Sequence, residues 1–250
     1  ADGERPSGLG WLPDGRLLFV AMLARKVMRR EADGTIVEHA DLGEVATFHC
    51  NDMLVDENGR AYVGNFGFDL DTTLATMGAE GLLTTMITDR GPYTAVLAGV
   101  EPDGSVTVAA DDLAFPNGVV LVDGGATLVV AQTLGLELTA FDRGADGSLS
   151  NRRVWAPLEG AVPDGICLDT DGGIWVASPV SAEVLRLREG GEVTDRIALE
   201  HNAFACMLGG EDGRTLFVLT GPHSHPEHCA RERCARIEVL RVEHPHAGRP

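Results

Sequence analysis

Three oxygen-bearing side chains, Asn51, Asn117 and Asp164, occupy one position of a repeated sequence pattern and could together bind a hard cation. Each lies eight residues before the glycine of a recurring turn and directly before an apolar run. Amide and carboxylate oxygens suit Ca²⁺, Mg²⁺ and Mn²⁺. Asn and Asp also cap turns through their own backbone, so one alone is uninformative. Three in the same register favour a shared site.

The pattern that places them is an internal repeat. An Asp-Gly or Asn-Gly turn followed by a short apolar strand recurs five times, as PDGRLLFVA, ENGRAYVG, DGGATLVVA, DGGIWVAS and EDGRTLFVL. The spacings between the anchor glycines are 44, 66, 47 and 41 residues, and these glycines are Gly15, Gly59, Gly125, Gly172 and Gly213. Such turns suit tight hairpins. A period of roughly 40–50 residues with about four strands per unit predicts the blades of an all-β propeller.

Equivalent positions of successive blades lie at equal height around one axis, so side chains in the same register are expected to converge. The five positions are Ser7, Asn51, Asn117, Asp164 and Ala205. Beside Asn51, the sequence adds His49 and Asp52, which we expect to shape a pocket at the same place.

The long interval of 66 residues carries an excess that falls within residues 66–92. This segment lacks the alternation of apolar and polar residues that predicts a strand, so we expect a long loop or a lid over the site. Helix is expected to be scarce, with a short turn at residues 226–236 as the best candidate.

The repeat units resemble those of the regucalcin–gluconolactonase family, which includes luciferin-regenerating-type proteins. The matching stretches run in family order as RPSGLGWLPDGRLL, CNDMLVDENGRAYVG, FPNGVVL, VPDGICLDTDGGIWVAS and CMLGGEDGRTLFV. The resemblance implies a six-bladed propeller with five modules visible here, forming a single domain over residues 1–250. It also implies one divalent cation in the axial channel, calcium first, with Zn, Mn and Mg as alternatives.

The resemblance assigns roles to individual residues. The family's metal-binding Asn in the NG motif matches Asn117, and its metal-binding Asp, the proposed general base, matches Asp164 in the PDG motif. The Asn of the ND motif, which contacts metal or substrate, matches Asn51, with Asp52 beside it. Some members carry a substrate-contacting Arg where this chain has His49, so a different substrate preference is expected.

One family feature is missing from this sequence. The first module of the family carries an EGP motif whose Glu is a metal ligand, and no such motif is present here. The sequence therefore resembles the family from its second blade onward, and either a further blade exists or the ring closes with five. With Asp164 as the one carboxylate ligand, weaker cation binding is expected, because ligand charge tunes affinity.

These observations predict a metal-dependent hydrolase of a lactone or related cyclic ester, with Asp164 as ligand and catalytic base. A non-catalytic calcium- or ligand-binding propeller is the alternative from a different class. A biosynthetic ring-opening enzyme on the same scaffold is the third possibility. Fold alone does not decide among them.

Composition excludes several partners. Acidic residues outnumber basic ones by 38 to 20, giving a formal net charge of −18, which repels nucleic acids and anionic membranes. The longest apolar run, residues 17–24, is far shorter than the roughly 20 residues a membrane span needs. We expect a cytoplasmic protein, monomeric or weakly self-associating, that acts on a small molecule.

The five cysteines are an odd number without a disulfide-framework pattern, which favours free thiols. Cys167 and Cys206 lie in apolar strand patterns and are expected to be buried. The segment GPHSHPEHCARERC holds His223, His225, His228, Cys229 and Cys234. Imidazole and thiolate could bind Zn²⁺, but the spacing matches no standard finger, which favours a solvated loop.

Overall fold

The computed structural model describes residues 4–88 and 93–247, which form five antiparallel sheets and two α-helices. Each sheet corresponds to one sequence repeat, and its strands follow one another in chain order. Four sheets have four strands and the fifth has three. This arrangement is that of propeller blades, so the predicted all-β class and the five modules are confirmed.

The chain divides into two compact units, and the prediction of a single domain stays a prediction. Unit 1 comprises the described residues up to Asn117 together with Ala145–Leu149. Its two complete sheets contain β1 (Pro6–Trp11), β2 (Leu17–Ala21), β3 (Lys26–Arg30), β4 (Ile36–Asp41), β5 (Cys50–Val55), β6 (Ala61–Asn65), β7 (Ala95–Val100) and β8 (Val106–Leu113).

Unit 2 comprises Gly118–Gly144 and the described residues from Ser150 onward. The third sheet, which begins at the end of unit 1, contains β9 (Pro116–Val122), β10 (Thr127–Gln132), β11 (Glu137–Arg143) and β12 (Leu149–Pro157). The last two sheets contain β13 (Ile166–Leu168), β14 (Ile174–Ser178), β15 (Glu183–Leu187), β16 (Val193–Ala198), β17 (Asn202–Gly209), β18 (Thr215–Gly221) and β19 (Arg236–Arg241).

The repeated turns close as the sequence predicts. All five anchor glycines have positive φ, between 72° and 93°, a region that side chains with a Cβ rarely adopt. In the second repeat the Oδ1 atom of Asp56 accepts hydrogen bonds from the backbone N–H groups of Asn58 and Arg60, each at 2.9 Å. The aspartate therefore holds the turn, and Gly59 supplies its left-handed residue.

Apolar side chains of the strands form the cores of the two units. In unit 1 the core includes Leu18, Val20 and Val27 of the first sheet and Val55 of the second, each no more than 2% exposed. In unit 2 the cores include Leu185 and Leu216, which are also within 2% of full burial. These side chains thereby hold the strands of each unit together.

Residues 66–92 differ from the predicted loop. Leu70–Thr88 form the helix α1, which is interrupted at Gly78, where φ is 71° and ψ is 170°; residues 89–92 lie outside the described part of the chain. Asp69 caps the helix, because its carboxylate accepts hydrogen bonds from the N–H (3.0 Å) and hydroxyl (2.8 Å) of Thr72. The segment therefore lacks strand alternation because most of it is helical. The second helix, α2 (Pro226–Glu232), forms where the sequence predicts a short turn.

Among the described residues, no helix combines the length and the apolar character that crossing a bilayer requires.

His39 gives the first sheet a predicted sensitivity to acid. Arg29 donates a hydrogen bond to its Nδ1 atom (3.1 Å), which requires the neutral imidazole, and burial followed by the charges of Arg29 and Arg16 lowers the pKa of His39. Asp103 and Glu31 oppose this shift. The unfolded chain therefore binds the proton more readily, and the free energy of unfolding is expected to fall as the pH drops through the ordinary histidine range of about 6.5.

Urea unfolding at neutral and mildly acidic pH checks this expectation. The variant His39→Gln keeps an acceptor for Arg29 but cannot titrate, so its stability should vary less with pH than that of the natural protein. Equal pH dependence in both proteins would contradict the assignment to His39.

Candidate functional site

Irregular pairing at the start of β5 and of β1 sets apart two of the positions that share the sequence register, Asn51 and Ser7. The ladder between β5 and β6 shifts register between Cys50 and Met53, which takes Asn51 and Asp52 out of regular pairing. The first sheet shifts in the same place, between Pro6 and Leu9, around Ser7. Bulges of this kind re-aim side chains and are frequent beside functional sites.

Asn51 is held in a fixed orientation. Its side chain is buried, with the residue 4% exposed, and Nδ2 donates a hydrogen bond of 3.0 Å to the carbonyl of Pro116 at the start of β9. This bond determines which end of the amide carries the oxygen. It also brings Asn51 to the residue that precedes Asn117.

The oxygen of that amide is the unusual atom of the site. Asn51 Oδ1 is buried and accepts no hydrogen bond from the described residues. A buried polar atom without a partner is costly, about 1–3 kcal/mol, and is rare in proteins. A hard cation bound to Oδ1 would satisfy it, so the residues present fit the divalent ion that the sequence pattern predicts.

Gly64 on β6 leaves the space that this arrangement needs. A Cβ atom at Gly64 would lie 2.3 Å from the carbonyl oxygen of Pro116 and 2.6 Å from Asn51 Oδ1. Gly64→Ala is therefore expected to displace both groups, to destabilise the protein by about 1–3 kcal/mol and to weaken cation binding. Urea unfolding and calorimetric titration with Ca²⁺ measure the two effects.

A matched control is Gly209→Ala on β17, where the added Cβ comes no closer than 3.4 Å to Phe217. Gly209→Ala should change neither the free energy of unfolding nor the affinity for Ca²⁺ appreciably. Normal stability and normal cation affinity in Gly64→Ala would contradict the role of the Gly64 space.

Asp52 provides a carboxyl group next to Asn51. The residue is half-buried, and burial raises the pKa of its carboxyl to about 6. A carboxyl with this pKa can exchange a proton near neutral pH. The predicted substrate contact of Asp52 stays a prediction.

His49 belongs to an aromatic cluster in unit 1 that sequence reasoning missed. Its ring centroid lies 4.0 Å from that of Phe48 and 6.2 Å from that of Phe66, and the Phe66 ring lies 4.4 Å from Phe115. Burial, followed by the charge of Arg5, lowers the pKa of His49, against the opposing charges of nearby acidic residues. The predicted substrate role of His49 thus involves a neutral ring in an apolar setting.

Phe115 reaches this cluster through a strained backbone. Its φ is 61°, a left-handed conformation that is unfavourable for a bulky residue, and its N–H bonds to the carbonyl of Leu113 at 3.2 Å. Such strain is often found at binding sites. The sequence gives one weak signal for it, the Phe directly before the Pro-Asn-Gly run.

The remaining predicted ligands lie at the end of unit 1 and in unit 2. Asn117 is the second residue of β9 and is 4% exposed. Asp164 is half-buried before β13, where its N–H donates to the carbonyl of Ala177 (3.0 Å) and its carbonyl accepts from the N–H of Gly118 (3.2 Å). These bonds hold the backbone of Asp164 in place. Shared coordination by Asn51, Asn117 and Asp164 stays a prediction.

Cys50, the cysteine next to Asn51, is not activated as a nucleophile. Burial raises the pKa of Cys50 to about 12, so its thiol stays protonated at neutral pH. Cys167 and Cys206 are buried free thiols in unit 2, as predicted, with sulfur atoms 3.9 Å apart.

Comparison with known proteins finds a matching family model and similar sequences. The family model described as the SMP-30/Gluconolactonase/LRE-like region matches residues 1–221. Regucalcin of Danio rerio is 27% identical over 189 residues, which cover 74% of this chain and 58% of that protein. The chain spans little more than half the length of the curated relatives it matches, between 53% and 59%.

Two solved structures are similar over nearly the whole chain. A luciferin-regenerating enzyme has a TM-score of 0.76 at 17% identity, covering 98% of this chain and 80% of that one. The calcium-binding protein regucalcin from Agrobacterium tumefaciens has a TM-score of 0.74 at 20% identity, covering 99% and 79%. At these identities the likeness concerns the fold, and it confirms the β-propeller class.

Proposed function

The chain belongs to the SMP-30/gluconolactonase/LRE-like family, and we propose that it hydrolyses a lactone or related cyclic ester with one bound divalent cation. The observation that carries the proposal is the buried Oδ1 atom of Asn51, which accepts no hydrogen bond from the described residues. Calcium is the proposed ion, because the candidate ligands are all oxygens. The calcium-binding regucalcin of similar fold supports this choice.

The proposed ligands are Asn51, Asn117 and Asp164. Two are neutral amides and one is a carboxylate, so the protein would place one negative charge on the ion. When bound, such a cation polarises an ester carbonyl and lowers the pKa of a coordinated water.

Asp164 is the proposed catalytic base. Its carboxylate would take a proton from the attacking water as the water oxygen bonds to the carbonyl carbon of the lactone. The ring C–O bond then breaks, and the proton passes from Asp164 to the departing alkoxide oxygen. The product is the open-chain hydroxy acid, and Asp164 returns to its starting state.

Asp52 and His49 are the proposed substrate contacts. Both belong to the segment that bears Asn51, and the apolar surface of Phe66 and Phe115 lies beside His49 through the ring contacts described above. The helix α1 follows Phe66 in the same unit, and we assign to it the covering role that the sequence suggested for residues 66–92. A mixed pocket of this kind suits a small cyclic ester.

A panel of aldonolactones and acyl lactones tests the proposal. The chelator-treated protein is assayed for acid release with Ca²⁺, Mn²⁺, Mg²⁺ or Zn²⁺ restored in turn. Turnover of at least one lactone that is lost with chelator and regained with metal is the expected result. Cation binding without turnover of any lactone would reject the hydrolase and favour a non-catalytic binding propeller.

A further inference from the structure

A second group of metal-ligating side chains lies in unit 2, in the connection between β18 and β19 that contains α2. His223, His228 and Glu232 each place one donor atom within 4.8 Å of the other two. We propose that these three residues form a transition-metal site, with Zn²⁺ as its ion, separate from the oxygen-ligand site of Asn51.

Two of the donors are fixed by helical geometry. His228 and Glu232 are four residues apart on α2, and residues at this spacing lie on the same face of a helix. The third donor comes from the loop that leads into the helix, where His223 Nε2 lies 3.1 Å from Glu232 Oε2. The site therefore joins a loop to a helix face.

The spacing is close to that of a bound zinc ion. Zinc bonds to His and Glu are roughly 2.0–2.2 Å long, so tetrahedral ligands stand about 3.3–3.6 Å apart. The His223–Glu232 pair is already near this separation. The ring of His228 lies 5.0 Å from that of His223, edge to face, and Glu232 and His228 are exposed. Small rotations of the His228 and Glu232 side chains therefore suffice to bring the ring nitrogen of His228 within reach of the same ion.

The donor types select the ion. Two imidazole nitrogens and one carboxylate oxygen suit Zn²⁺ and similar transition ions, whereas Ca²⁺ and Mg²⁺ prefer oxygen ligands throughout. This chemistry differs from that of Asn51, Asn117 and Asp164.

Cys229 lies beside the three proposed ligands and contacts one of them, His223. Its sulfur lies 3.7 Å from Nδ1 of His223, the ring nitrogen opposite the one that faces Glu232. A partner on the second nitrogen orients a ligating imidazole. Three protein ligands leave a fourth position for water.

Binding would link the loop at His223 to α2. Because the ion binds only when these segments are in place, Zn²⁺ stabilises the folded protein by mass action. The sequence pattern offered the histidines and cysteines of this segment as possible ligands and favoured a solvated loop, and it gave no reason to choose Glu232.

The test uses the full chain without a polyhistidine tag, treated with chelator and titrated with Zn²⁺ against a chromophoric competitor. The natural protein should bind one tight equivalent and show a higher Tm with zinc. His228→Ala and Glu232→Gln should each weaken this binding by roughly 100-fold and remove the Tm increase, because each loses one ligand.

The matched control is His225→Ala. His225 lies in the same segment, with its ring 5.1 Å from that of His228, but outside the group of three donors. This variant should bind zinc as the natural protein does. Asp164→Ala should also bind one tight equivalent of Zn²⁺, which separates this site from the proposed catalytic one.

The inference is overturned if the natural protein binds no tight zinc, if His228→Ala and Glu232→Gln bind it unchanged, or if His225→Ala loses it equally. Circular dichroism of the metal-free variants shows whether each has folded. A correctly folded Glu232→Gln with unchanged zinc affinity would be decisive against the site.

Discussion

Replacing Asp164 with asparagine is expected to reduce kcat for lactone hydrolysis by roughly 10³-fold, the usual contribution of a positioned base. Asparagine keeps the size of the side chain and one oxygen, but it cannot take a proton from water. Cation affinity should fall as well, because the site would lose its one carboxylate. Steady-state kinetics at saturating metal and Ca²⁺ titration measure the two losses separately.

Asp171→Asn is the control for this prediction, because Asp171 is a partly exposed aspartate of the same unit. It should leave kcat and cation affinity unchanged. Hydrolysis by Asp164→Asn at the natural rate would remove Asp164 from the mechanism, even if the cation still bound.

Replacing Asp169 with alanine is expected to lower the free energy of unfolding by about 3–5 kcal/mol, because it removes the buried carboxylate that pairs with the buried Arg186 and leaves only partly exposed acidic groups near it. The side chains of Asp169 and Arg186 are 0% and 3% exposed, and Arg186 donates to the Asp169 carboxylate at 2.6 and 3.1 Å. The same carboxylate accepts backbone hydrogen bonds from Asp171 (2.9 Å) and Gly173 (3.0 Å). One substitution therefore removes an ion pair and the support of the turn.

Asp171→Ala is a matched control, because Asp171 contacts the same Arg186 at 3.1 Å but its side chain is 39% exposed. Surface ion pairs contribute about 0–1 kcal/mol, so this variant should lose far less stability. Urea unfolding followed by circular dichroism compares the two. Similar losses in both variants would show that burial of the pair is not what matters.

The repeated architecture was predictable because local chemistry determines it. A turn that requires a left-handed residue calls for glycine, and Asp56 shows how the preceding aspartate holds such a turn. Asn51 was predictable for a related reason, since equal spacing from the anchor glycine puts it at the irregular start of an inner strand. Its amide is buried there, and its role as a ligand stays a prediction.

The features that escaped prediction depend on contacts or on a different periodicity. The helix α1 was missed because the segment was judged by strand alternation, although Asp69 followed by Thr72 is a helix-capping signal. The space at Gly64 depends on Pro116, which is far away in the sequence. The strain at Phe115 and the pairing of His223 with Glu232 likewise arise only when the chain has folded.

The most direct test of the central claim is an anomalous-scattering map of crystals of this protein soaked in Mn²⁺, a stand-in for Ca²⁺. A single strong peak is predicted within about 2.1–2.6 Å of Asn51 Oδ1, Asn117 Oδ1 and the Asp164 carboxylate. A map with no peak near Asn51 Oδ1, or with these oxygens too far apart to share one ion, would contradict the account.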